Sequence, residues 1–420
     1  MKTKQLTIGL FGFGVVGEGI YKVISDIPSL QASVKKICIK HPEKERNAPR
    51  DLFTTDASEL LNDVDINLIV ELIDNSEEAF AIVAQSLTSG KAVVSANKKM
   101  IAEHFTELYG LQKRHNVPLL YEAAVCGSIP VLRNLEEYYN NDLLKNICGI
   151  VNGSTNFILS KIIDEKLGYA EALLLAQQAG FAESNPALDV NGIDAANKLS
   201  ILLVHAYGLK ADPKTILSKG ITAVDRSDAA FAKEKNLRVK LIARAQTLED
   251  GTIAAMVLPH FIEKESQLYN VSNENNGVVI ETGLADKQFL YGKGAGRYPT
   301  SSAVLSDIAA LRYDYKYEYR KLQQASLRVA VNFHLRIYVS FEDWQVVDRN
   351  VFDWIEELHG TGERQYIIGV ISYENLKKAT WLNYKDVSVI VMPEGILEPK
   401  VIETKKMRKI SLKLAGMAGE

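Results

Sequence analysis

The sequence predicts an α/β protein: a doubly wound parallel sheet at the N-terminus, a middle α+β domain with a mixed sheet, and a small C-terminal α+β unit. Three observations predict it. Short apolar runs alternate with helical patterns over the first third; from about 130 to 290 the helices lengthen and strand-like runs follow them; after about 320 short strands and helices resume. At 420 residues, with 47% hydrophobic and 24% charged content, the chain is long enough for two or three domains, each with its own core.

In the first domain, residues 6–11, 35–40, 66–72, 91–95 and 117–121 read as strands, with helices near 15–25, 77–88 and 99–114. Gly90 stands where a glycine ends a helix, just before the strand at 91–95. The middle domain reads as helices at 155–165, 169–179 and 192–206, then strands at 238–247, 252–262 and 278–282. The run Gly292-Lys-Gly-Ala-Gly-Arg-Tyr-Pro-Thr-Ser-Ser opens a helix reaching about Leu311, and the Tyr-rich, charged stretch 312–320 reads as a linker. The last unit reads as a strand at 327–341, a helix at 351–359, a strand at 366–372, a short helix at 374–379 and a strand at 387–392. No internal repeat or low-complexity tract is present.

Charge and cysteine usage exclude several classes. The formal net charge of −3, without a basic stripe interleaved with aromatics, excludes nucleic acid as the expected partner. Cys38, Cys126 and Cys148 are widely spaced, lack metal-ligand spacing and suit a reducing cytoplasm. No apolar run approaches the roughly 20 residues that span a bilayer, so neither secretion nor membrane insertion is expected.

The stretch from Gly180 to Leu203 drives three carboxylates and a lysine into an apolar run. Asp194 and Lys198 lie four apart on one face of the helix at 192–206, surrounded by Ala195, Ala196, Leu199 and Ile201. At most helices such a pair is solvated; here the surroundings place it inside, where a lysine suits proton transfer and nearby carboxylates hold it in place or grip an amino group. The pattern fits a small zwitterionic substrate.

Four further motifs cluster at element ends. Gly12-Phe-Gly14-Val-Val-Gly17 follows a strand and opens a helix, the setting in which small residues admit a pyrophosphate; the alternative is a tight turn with no ligand. The acidic residue expected after the second strand for NAD is replaced by Lys40-His41, with Lys44, Arg46 and Arg50 following, which favours the 2′-phosphate of NADP unless the charges form a solvated loop. Ser95-Ala-Asn97-Lys98 lies at the carboxyl edge of a strand, where ligands of open α/β sheets bind, or else starts a helix with a solvated lysine. Asn152-Gly153-Ser-Thr155-Asn opens a helix with cap residues and N–H groups able to hold a carboxylate. The bend Glu122-Ala-Ala-Val125-Cys-Gly127-Ser-Ile129 is either a domain-crossing turn or a set of carbonyls converging on a monovalent cation.

Together these segments resemble the homoserine dehydrogenase family over roughly residues 5 to 315. The resemblance implies reversible NAD(P)H-dependent reduction of L-aspartate 4-semialdehyde to L-homoserine, on the branch to threonine and methionine, and the cationic residues from Lys40 to Arg50 make NADP preferred, with NAD as the alternative. It implies Lys198 and Lys98 as catalytic groups and Glu183 and Asp194 as substrate ligands with Asp189 supporting them, to which the helix-start reading adds Asn152, Gly153 and Thr155 as substrate-binding groups. The implied cofactor-binding residues are Phe11, Gly12, Gly14, Val15, Val16, Gly17, Lys40, Asn75, Ser76, Lys98, Gly294, Ala295 and Gly296. Backbone groups of Glu122, Val125, Gly127 and Ile129 are implied as a site for sodium or another monovalent cation. The resemblance further implies a Rossmann-like cofactor domain (1–130 plus about 290–320), a catalytic and dimerisation domain (131–290), and an ACT-like domain (321–420). A homodimer or higher homo-oligomer is expected.

Two departures stand out. Ser184-Asn185-Pro186 replaces the Asp-Pro found shortly after the Glu in many relatives, and the Asp-x-Pro-Gly loop of ACT domains is missing near Phe341-Glu342-Asp343-Trp344, which speaks against threonine feedback. No aspartate kinase region precedes the glycine turn, so a monofunctional form is expected. The alternatives to the family reaction are another semialdehyde or amino-acid dehydrogenase on the same scaffold, or a catalytically silent dinucleotide sensor.

Overall fold

The computed structural model describes residues 4–139, 143–323, 327–360, 365–400 and 402. The first layer is a six-stranded parallel sheet in the order β3-β2-β1-β4-β5-β6. Its elements are β1 (Leu6–Phe11), α1 (Val15–Asp26), β2 (Ala32–Cys38), β3 (Phe53–Thr54), α2 (Ser58–Leu61), β4 (Leu68–Glu71), α3 (Ser76–Thr88), β5 (Ala92–Ser95), α4 (Lys98–His115) and β6 (Leu119–Leu120). The central strands are apolar on both faces because helices cover both: Ile8, Leu10, Leu68, Ile69, Val70, Val93 and Val94 are all buried. Strand order reverses between β1 and β4, which opens a crevice at their carboxyl ends. β3 and α2 were not anticipated, being too short to show a period.

The second layer begins with α5 (Val131–Glu137), β7 (Leu144–Ile150), α6 (Gly153–Glu165), α7 (Tyr169–Gln178), α8 (Ala187–Val190) and α9 (Ile193–Tyr207). It continues through β8 (Leu217–Ser218), α10 (Arg226–Glu234), β9 (Arg238–Thr247), β10 (Ile253–Ile262), β11 (Asn275–Thr282) and β12 (Lys287–Lys293). Helix α9 is buried along nearly its whole length, so it presents no polar stripe to solvent. Helix α11 (Arg297–Leu311) then returns to the first layer: Arg297 pairs with Glu18 at 2.8 Å, and Ser301 donates to the Val16 carbonyl.

The stretch 312–320, expected as a linker, is a packed strap. Its tyrosines recur at every second residue, and in the extended chain Tyr317 and Tyr319 turn inward. The Tyr319 hydroxyl lies 3.0 Å from that of Tyr121, whose oxygen is 2.9 Å from His205 Nε2, while His205 Nδ1 meets Glu136 at 2.8 Å. Lys321 then donates to the His205 carbonyl near the end of α9.

The final elements are β13 (His334–Phe341), β14 (Trp354–His359), β15 (Gln365–Ser372), α12 (Tyr373–Lys378) and β16 (Ser388–Leu397). Residues 354–359 are a strand where a helix was expected over 351–359. β14 is an edge strand paired only with β15, so a mostly polar sequence suffices; Glu356 meets Arg336 at 2.7 Å and Glu357 accepts from the Tyr366 hydroxyl at 2.6 Å. The expected strand at 327–341 is regular only from His334. This unit is also continuous with the middle domain: β16 pairs with β10 in a ten-stranded sheet, and Met256 and Leu258 share a core with Leu335, Ile337 and Trp381. Residues 403–420 of the expected C-terminal unit lie outside the described residues.

Truncating a buried aromatic costs about 3–5 kcal/mol, so Tyr319→Ala should lower unfolding free energy by that order and Tyr319→Phe by only about 1 kcal/mol. Denaturant unfolding measures both. An alanine variant as stable as the parent would show that the strap is not packed.

Candidate active site

Asp194 is the hub. It lies in the first turn of α9, is buried, and its two oxygens contact lysines from two domains: Oδ1 is 3.1 Å from Lys98 Nζ and Oδ2 is 2.8 Å from Lys198 Nζ. Lys98 is the first residue of α4, placed there because Asn97 caps that helix by accepting from the Met100 N–H. Lys198 sits one turn along α9 from Asp194 and donates to the Val151 carbonyl at 2.7 Å. Burial opposes ionisation of Asp194, yet Lys198, Lys98 and a hydrogen bond from Asn152 outweigh it and hold the carboxyl below the usual range. The same Asp194 raises Lys98 above the ordinary lysine value, with Asp189 and Glu183 adding to the effect.

Asn152 knits the carboxylates together. Its side-chain nitrogen donates to Asp189 (2.6 Å) and Asp194 (2.8 Å), while its oxygen caps α6 by accepting from the Thr155 N–H. The Gly153 Cα packs against the Glu274 backbone, where a Cβ would stand 2.6 Å from the carbonyl oxygen. Thr155 differs from its expected place as a substrate ligand: it is buried, and its hydroxyl donates to the Asn152 carbonyl within the first turn. Glu183 is exposed at the rim.

The glycine turn fits a dinucleotide. A Cβ on Gly12 would meet the Leu72 carbonyl at 2.7 Å and one on Gly17 the Gly12 carbonyl at 2.4 Å, so these two serve packing; one on Gly14 would enter open space. Gly14 caps α1 without a side-chain hydrogen bond, leaving the N–H groups of the first turn, at Val15 and Val16, facing outward, and Phe11 ends the strand beneath. Lys40 is exposed after β2, with Nζ 3.5 Å from Glu78. Asn75 caps α3 with its side-chain oxygen, and Ser76 is buried with its hydroxyl 3.5 Å from Glu103, so Ser76 faces α4 rather than the crevice.

The bend after β6 lies against the return of the chain toward α11. Cys126 and Gly127 are consecutive left-handed residues, and a Cβ on Gly127 would stand 2.5 Å from the Gly294 carbonyl. Ser128 donates to the Lys293 carbonyl through both its N–H and its hydroxyl. The Glu122 carboxylate is spent on the α5 N-terminus, accepting from Leu132 and Arg133 N–H groups, and burial together with nearby Asp307 pushes it up to about 8. The Glu122 and Ile129 carbonyls each accept one backbone hydrogen bond already; a carbonyl has a second lone pair, so a cation is compatible with the bend. Gly294 packs on the Asn276 side chain, Ala295 follows it, and Gly296, with a φ of 116°, precedes α11.

Two models match the chain in sequence: "Homoserine dehydrogenase" over residues 130–309, and "Homoserine dehydrogenase, NAD binding domain" over 12–122. The homoserine dehydrogenase of Bacillus subtilis is 34% identical over 359 residues, covering 81% of this chain and 82% of its own length. The chain belongs to the homoserine dehydrogenase family. That of Lactococcus lactis is 36% identical over 318 residues, covering 73% and 74%. The crystal structure of a homoserine dehydrogenase from Thiobacillus denitrificans superposes with a TM-score of 0.79 at 26% identity, covering 93% of this chain and 98% of that one. A hyperthermophilic archaeal homoserine dehydrogenase in complex with NADPH superposes with a TM-score of 0.64 at 26% identity, covering 74% and 99%.

For a homoserine dehydrogenase-family site, three supporting residues were not singled out from sequence. Asn156 donates to the Val271, Asn273 and Asn275 carbonyls and so shapes the loop that packs on Gly153. Lys240 donates to Asn156 Oδ1, and burial brings it down to about 7. Asn276 is fully buried, with its side-chain amide packed against Gly294. Asn156 closes the quoted helix-start motif, but nothing in the sequence distinguishes Asn276 or Lys240 from ordinary polar residues.

Gly14 has an extended backbone that valine also adopts, so Gly14→Val burdens the ligand and not the fold. Calorimetry should show dinucleotide binding weakened roughly tenfold or more, with the melting temperature within about 2 °C of the parent. Unchanged affinity would place the dinucleotide elsewhere.

Proposed function

We propose that this chain catalyses reversible reduction of L-aspartate 4-semialdehyde to L-homoserine with NADPH in preference to NADH, serving threonine and methionine biosynthesis in the cytoplasm. The observation that carries this reading is a buried carboxylate bridging Lys98 and Lys198 beside the glycine-turn crevice. A bound reduced nicotinamide supplies a hydride to the carbonyl carbon. Lys198 gives its proton to the aldehyde oxygen as charge develops there, and in reverse its neutral form takes the proton from the alcohol. Lys98 orients the reacting end, and Asp194 keeps both ammonium groups aimed at one point.

Glu183 and Asp189 receive the substrate ammonium, and Asn152 holds Asp189 in place. Gly153 at the start of α6 receives the carboxylate. Lys40 with its cationic neighbours supports NADPH, as does the relative solved with that ligand. The Glu122, Val125, Gly127 and Ile129 backbone would hold sodium or another monovalent cation and so brace the bend against Gly294. No described helix is long and apolar enough to cross a membrane. Phe289 and Tyr291 on edge strand β12, with Leu143 just before β7 and Leu284 in the turn between β11 and β12, are exposed and fit a homodimer through the middle domain. Strand order β16-β13-β15-β14, with the first helix reduced to a short turn at Arg349–Val351, fits a divergent ACT-like unit.

Lys198→Ala should lower kcat by about 10²–10⁴-fold with dinucleotide affinity unchanged; near-normal turnover overturns the assignment. Lys40→Glu should lower kcat/KM for NADPH roughly tenfold, the loss of about 1.5 kcal/mol from one charge-assisted hydrogen bond, and spare NADH. Equal effects on both would assign Lys40 to a solvated loop.

A further inference from the structure

We infer that Glu71 is a positioning residue for the reaction, its side chain fixing Lys98 and the cofactor-side turn at Asn75 relative to one another. The inference rests on the reading of Lys98 as an active-site group.

Glu71 ends β4, the strand beside β1 at the point where strand order reverses, and it is fully buried. Its two oxygens face two different loops. Oε1 accepts the Ile73 N–H at 2.7 Å, two residues before the Asn75 cap, and Oε2 accepts the Ser95 hydroxyl at 2.5 Å. Ser95 Oγ in turn accepts the Asn97 N–H at 3.0 Å, and the Asn97 amide donates back to the Ile73 carbonyl at 3.1 Å. A closed ring thus runs from Glu71 through Ser95 and Asn97 to Ile73. Asn97 also caps the helix that Lys98 begins. On the β1 side the Leu72 carbonyl occupies the place a Cβ on Gly12 would need. One side chain therefore ties the lysine loop to the cofactor loop, with the glycine turn packed against it.

The ring requires two acceptors at residue 71. The Ile73 N–H can only donate, and the Ser95 hydroxyl donates its one hydrogen to the acceptor-only carboxylate while its oxygen accepts from Asn97. A glutamine offers one acceptor and one NH2. Turned toward Ile73, that NH2 opposes a donor; turned toward Ser95, it strands the hydroxyl hydrogen in a buried place. A protonated Glu71 creates the same conflict. Burial pushes this carboxyl up to about 7, against the Ser95 and Ile73 hydrogen bonds and helped by Asp74, the charged neighbour on its own loop. The ring therefore weakens as pH falls through that value.

The test compares full-length Glu71→Gln, Ser95→Ala and Lys98→Ala by steady-state kinetics from pH 6 to 9, with rates normalised to folded protein. Glu71→Gln should lower kcat tenfold or more, leave homoserine KM within a few-fold, and abolish the part of the acid limb of kcat/KM near pH 7. Ser95→Ala, which keeps the carboxylate but cuts its link to Asn97, should reproduce the kcat loss. Parental kcat and pH profile in both variants, with turnover lost in Lys98→Ala, would overturn the inference alone. Parental turnover in Lys98→Ala would instead overturn the reading on which it rests.

Discussion

The contact on which the structure depends is the double ion pair at Asp194. Lys98 comes from the parallel-sheet domain and Lys198 from the helix whose first turn carries Asp194, so one carboxylate joins two domains at the mouth of the crevice. Removing a partner from a buried ion leaves an uncompensated charge, typically a loss of about 3–5 kcal/mol. Two lysines and the Asn152 amide prevent that here, and they fix the carboxylate as an anion. Because Lys198 also holds the Val151 carbonyl, the same group anchors the approach to α6.

Around this hub the backbone comes unusually close to itself. Gly127, Gly294 and Asn276 stack one on another, and Gly153 sits on the 274 carbonyl, so side chains at those glycines would force apart the segments that enclose the site. The loop beneath Gly153 is held by Asn156, which Lys240 orients. The far end of α9 is gripped by His205 between Tyr121 and Glu136, and by Lys321 from the strap. Both ends of the helix carrying Lys198 are thus fixed by polar groups, most of them buried.

The periodic parts of the fold were legible: the central parallel strands, the three long middle helices and the β9–β10 pair all lie close to where apolar spacing placed them. Misreadings follow from edges and tertiary burial. A sheet-edge strand such as β14 needs no apolar face, and its charges at 356 and 357, with Asp353 just before it, imitate a helix surface. The strap failed as a linker because tyrosine with alternating charge reads as solvated until a surface exists to receive it. β7 and β12 were passed over because motifs or turns overlap their ends. At the site, the Asp194–Lys198 spacing and the apolar run around it were enough to place that pair inside. The strand-edge position brought Lys98 to where ligands of open sheets bind, but its meeting with Asp194 across 95 intervening residues was not legible, since no local pattern encodes a contact between domains. Thr155 and Ser76 each make a side-chain contact within the protein, and a helix-start residue looks the same in sequence whether it serves its helix or a ligand.

The most direct test of the central claim is the ionisation of Asp194, followed by carbon-13 NMR of labelled aspartate carboxyls with Asp194→Asn for assignment. The account predicts a resonance that stays in the ionised position below about pH 4, the ordinary aspartate value, for as long as the protein remains folded. A carboxyl that titrates at or above that value would mean that the two lysines do not share it, and would contradict the arrangement on which the proposed chemistry is built.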